Sequence, residues 1–126
     1  KAYNVWHGIL SRCYSPKNTN YKNYGGHGVT VCDEWLVFQN FARWYLEQYS
    51  EPNWHIDKDI LVKGNKIYSP ETCCIIPGEL NTIISNKKTR AFKIEGILDK
   101  YQNVLPERVI TSVKDLIKTR KEYLGV

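Results

Sequence analysis

Asp57 and Asp59 stand two residues apart in the segment WHIDKDIL, a spacing that puts both carboxylates on one side of an extended strand. Two oxygen-bearing side chains so placed could hold a hard divalent cation. A surface strand whose acids are paired by Lys58, Lys63 or Lys66 fits the same residues, and the spacing leaves both readings open. By period two, His55 shares the face of the aspartates and Lys58 points the other way. His55 is therefore the side chain placed to take a proton near neutral pH. Around them lie Asn65, Thr72, Asn81 and Asn86, polar residues in a stretch otherwise built of core types.

A second group of chemically able residues is cationic. The 126 residues carry a net charge of +5, and its distribution says more than its total. Residues 1–83 hold eight Lys/Arg against eight Asp/Glu, whereas residues 84–126 hold ten against five. The excess begins with Lys87, Lys88, Arg90 and Lys93, a tract suited to phosphate contact because clustered cations displace the counterions of a polyanion. Tyr21 and Tyr24, in a loop with Lys22, could stack on bases or touch sugar-phosphate, or could plug the edge of a core. Cys13, Cys32, Cys73 and Cys74 form no CxxC pair or dense disulfide framework. Reduced thiols packed as small apolar groups account for them, and a structural zinc held by Cys13, Cys32 and Cys73 or Cys74, with His27, stays open.

The elements that must position these groups follow from periodicity. Val5, Trp6, Ile9, Leu10 and Cys13 have helical spacing, and Ser15-Pro16 stops that helix. A Gly- and Tyr-rich loop fills residues 15–28, Val29–Val31 reads as a short strand, and Asp33 reads as the cap of a helix running to about Tyr49. Alternation predicts a strand from Trp54 to Leu61, a turn at Gly64-Asn65 and a second strand from Thr72 to Ile76. Pro77 then suits the first position of a helix carrying Leu80, Ile83 and Ile84. Beyond a linker at 86–93, a short helix is predicted at about 95–102 and a longer one at 106–123.

With 42% hydrophobic and 25% charged residues the chain has globular composition, which excludes long disorder. No apolar run approaches membrane-spanning length and no signal-peptide pattern opens the chain. The helical signal begins at once with no initial Met, so a short leader is expected upstream. The fold class is α+β in one domain over 1–126: a helical lead-in at 3–50, a strand-loop-strand-helix unit at 54–90, and basic C-terminal helices at 95–124.

The string WHIDKDILVKGNKIYSPETCCIIP, followed by ELNTI and SNKK, resembles phage-type proteins related to HNH, or His-Me finger, homing endonucleases. YNVWHGILSRCYS and YGGHGVTVCDEWLVFQNFARW are similar to the helical lead-in of that group, so the resemblance covers roughly residues 3–90. It implies a small ββα-metal core flanked by helices, with a divalent ion such as Mg²⁺ or Mn²⁺ at Asp57, helped by Asp59 and Asn81. Thr72 falls near the pattern's loop Asn, and Lys58 stands where its general-base His belongs. An ordinary lysine is protonated at neutral pH and cannot serve as that base, which leaves His55 as the replacement.

Together these readings imply a DNA-binding protein of phage or mobile-element origin on a degenerate HNH fold, acting in the cytoplasm of the bacterial host. If it cuts, the reaction is metal-dependent phosphodiester hydrolysis. The alternative is a protein-interaction or inhibitory module whose basic C-terminal face meets an acidic protein.

Overall fold

The computed structural model describes residues 1–126. Helix α1 spans Ala2–Tyr14 and ends where Ser15 turns extended ahead of Pro16. Two 3-10 turns, Tyr21–Asn23 and Gly25–His27, fold the Gly/Tyr loop back against it. Strand β1 (Thr30–Val31) leads to a third 3-10 turn at Asp33–Leu36 and then helix α2 at Phe38–Glu47. Strands β2 (Trp54–Asp57), β3 (Ile67–Tyr68) and β4 (Cys74–Pro77) precede helices α3 (Gly78–Ser85), α4 (Ala91–Tyr101) and α5 (Glu107–Leu124). The architecture is a mixture of helices and small sheets, as the α+β expectation requires.

There are two two-stranded sheets. β2 pairs antiparallel with β4, placing Trp54 opposite Pro77 and Asp57 opposite Cys74. β1 pairs in parallel with β3, Thr30 opposite Ile67 and Val31 opposite Tyr68. β3 was not expected: two residues are too few to show alternation, and Ile67 is itself exposed. All four residues of β4 are buried, which explains its continuous apolar run.

Three boundaries move for physical reasons. Asp33 does not cap a long helix, because Trp35 is fully buried and packs edge-on to Phe41 at 4.9 Å, with Trp44 at 4.8 Å. That insertion breaks the segment into a 3-10 turn and an extended Val37 before α2 begins. The predicted strand from Trp54 stops at Asp57 rather than Leu61, for the reason given below. α4 begins at Ala91, four residues early, because Ala91 shares the buried stripe of Ile94 and Leu98. One hydrophobic cluster joins Ile9 of α1, Trp35, Phe41 of α2, Ile76 of β4, Leu80 of α3, Ile94 of α4 and Val113 of α5.

Candidate functional site

The loop after β2 is held by side chains that bond to nearby backbone. Asp57 Oδ2 accepts from the amides of Asp59 at 2.9 Å and Ile60 at 2.6 Å. This aspartate turn ends the strand, so Asp57 and Asp59 do not share a strand face as the alternation predicts. Buried Asn65 closes the loop from its far side. Its Nδ2 donates to the carbonyls of Lys58 at 2.9 Å and Ile67 at 2.6 Å, while Oδ1 accepts from the Ile67 amide at 3.2 Å. Asn65 thus does the loop-fixing work that the sequence reading put near Thr72. Thr72 Oγ1 instead donates to the Ile67 carbonyl at 2.9 Å and pairs with Ser69 Oγ at 2.7 Å.

Lys58 is committed to the same loop. Its Nζ donates to the Asn65 carbonyl at 2.8 Å and to Asp59 Oδ1 at 3.0 Å, and the side chain is only 13% exposed. The ammonium also lies 6.0 Å from the centre of the Tyr24 ring, with the Arg12 guanidinium at 5.1 Å from the same ring. Tyr24 thus has two cations of its own chain near its ring. Tyr21 is half-buried, its ring against Gly25 and Gly26. Of that trio only Lys22 is fully exposed.

The remaining residues expected around Asp57 are not gathered. The His55 imidazole lies over Gly78 at the start of α3, whereas Asp57 borders a groove reached by Ile84 and Ser85 at that helix's other end. Asn81 does not line the groove. Asp57 has one oxygen committed to two amides and Asp59 has one committed to Lys58, leaving each carboxylate one further oxygen. No three of the chain's His, Cys, Asp and Glu side chains come together in a cluster able to hold a metal. Cys13, Cys73 and Cys74 are buried and Cys32 half-buried, all four as free thiols. Burial pushes the Cys73 thiol up to about 12.

Asp57 carries a testable electrostatic signature. Burial raises its pKa above the ordinary carboxylate range, more than the two amide bonds lower it. A raised folded-state pKa means that ionising Asp57 opposes folding, so the penalty grows as pH rises through its titration and is absent in acid. Asp57→Asn keeps an oxygen for both amides and removes the charge. In urea melts the variant should match the wild type below the Asp57 titration range and exceed it in stability at pH 7. A constant difference across pH would contradict the burial argument.

The groove has a volume of about 880 Å³ and runs between the loop that starts at Asp57 and the outer face of α5. Next to it, the α3–α4 loop exposes Lys87, Lys88 and Arg90, and α4 exposes Lys93; none of the four is in an ion pair. Phe92 stands among them, 55% exposed, in a shallow concavity of about 390 Å³ shared with Lys88, Arg90 and Lys93. The loop's shape is set from beneath by Arg120 of α5, which sequence reasoning missed. Its guanidinium is buried and donates to the carbonyls of Ile84 at 2.9 Å, Asn86 at 3.2 Å and Thr89 at 2.7 Å. Asn86 Oδ1 adds a bond from the Lys88 amide at 3.0 Å.

No protein-family model, curated protein or solved structure matches the chain. No helix is long and apolar enough to cross a membrane.

Proposed function

We propose that this protein binds DNA through the basic α3–α4 loop, on an HNH-like fold that no longer cuts. The observation that carries the reading is a set of four cations in no ion pair, three on a loop pinned by three carbonyl bonds from Arg120 and Lys93 on α4, with exposed Phe92 sharing a concavity with Lys88, Arg90 and Lys93. A loop backbone held in place lowers the ordering cost of presenting cations to phosphates, and Phe92 offers a face for a sugar or base. The order β2, Asn-closed loop, β4, α3 supports the phage HNH ancestry that the sequence resemblance implies. Binding rather than cleavage is supported by Lys58 bonded within its loop, His55 lying over Gly78 at the start of α3, and Asp57 serving as a turn cap.

Fluorescence anisotropy on a random duplex is the test. Four phosphate contacts predict a log–log salt slope of about −3.6, or roughly a hundredfold loss of affinity between about 50 and 200 mM salt. Lys88→Ala with Arg90→Ala should bring the slope to about −1.8. An absence of binding to both the duplex and its single strand at the lower salt would remove the reading and favour an acidic protein partner. Supercoiled plasmid with Mg²⁺ or Mn²⁺ should stay uncut. Nicking that disappears in Asp57→Ala would restore the nuclease.

A further inference from the structure

We infer that the groove between the Asp57 loop and α5 receives an unpaired nucleobase, so that the protein prefers single-stranded or opened DNA to intact duplex. The inference rests on the DNA-binding reading and concerns what lies beside the basic tract. The groove is lined by three carboxylates, Asp57, Asp59 and Asp115, and by three cations, Lys63, Lys87 and Arg120, so it offers acceptors for a base edge next to cations for the phosphate that carries it. A carboxylate accepts from the exocyclic amine of cytosine, adenine or guanine. The rest of the lining suits a flat heterocycle: Ile60, Ile84 and Leu116 are apolar, and Tyr123, 81% exposed, has a ring face open to stacking.

The geometry joins the two halves of a nucleotide. Lys87 belongs both to the cationic tract and to the groove wall, so a backbone held at Lys87 and Lys88 can turn its base toward Tyr123. A volume of about 880 Å³ is ample for one base and its sugar, within the range of small-molecule sites. A paired base presents only its edge at a groove of the helix and could not enter between the walls.

The experiment compares a labelled random single strand with its own duplex, and a dC strand with a dT strand. The single strand should bind about tenfold more tightly than the duplex. The dC strand should bind about threefold more tightly than dT, because thymine offers a carbonyl where cytosine offers an amine. Tyr123→Ala should lower single-strand affinity about tenfold and leave duplex affinity within about twofold, and Tyr123→Phe should restore it. Equal or tighter duplex binding, or a Tyr123→Ala loss shared by both forms, would overturn the groove inference and leave duplex recognition by the basic tract intact. If neither form binds, the DNA-binding reading falls with it.

Discussion

Gly25→Ala is expected to destabilise the protein by about 3 kcal/mol, at the upper end of overpacking costs. The reason is a close approach between backbones. A Cβ on Gly25 would collide with the Cys13 carbonyl near the end of α1 and lie 2.5 Å from Tyr21 Cε1. The Cys13 carbonyl belongs to a helix and cannot rotate aside, so relief requires the whole 20–28 loop to lift. Such a movement would draw Tyr24 from Arg12 and Lys58, and would strain the entry to Val29 and Val31, both core residues. Gly96→Ala supplies the contrast, since nothing lies within 4 Å of its added methyl and it sits inside α4. That variant should gain about 0.5–1 kcal/mol from helix propensity. Urea unfolding of both variants at one pH checks the pair. A Gly25→Ala midpoint equal to the wild type would mean that the loop does not press on α1.

The same residues show how far the sequence could be read. Helices α1, α3 and α5 were legible because their apolar residues recur at helical spacing next to proline or glycine punctuation. β4 was legible as an uninterrupted apolar run. Asp57 misled because an aspartate capping its own turn and an aspartate on a strand face leave the same Asp-Lys-Asp string. Lys58 and Asn65 find each other across seven residues through backbone carbonyls, a pairing no periodicity encodes. Arg120 did leave a signal. Val109, Val113 and Ile117 mark the buried stripe of α5, and Arg120 continues it three residues on. A cation on a core stripe announces a buried partner, because its charge is otherwise too costly to bury.

Arg120→Met is expected to cost about 3 kcal/mol, which in a chain of this size lowers the melting temperature by roughly 10 °C. Methionine preserves much of the packing and removes all the donors, so the carbonyls of Ile84, Asn86 and Thr89 lose a shared charged partner. Arg120→Lys should recover only part of the loss, since one ammonium cannot span three acceptors as a planar guanidinium does. The functional consequence separates holding the loop from touching the ligand. Freeing the 86–90 segment makes Lys87, Lys88 and Arg90 pay ordering entropy on binding, so DNA affinity should fall about three- to tenfold. Because the guanidinium donates inward and is buried, the number of phosphates neutralised should not change, and the salt slope should stay near its wild-type value. An affinity loss accompanied by a slope change of a full unit would instead make Arg120 a direct phosphate contact, and an unchanged affinity would mean that the tract needs no support from α5.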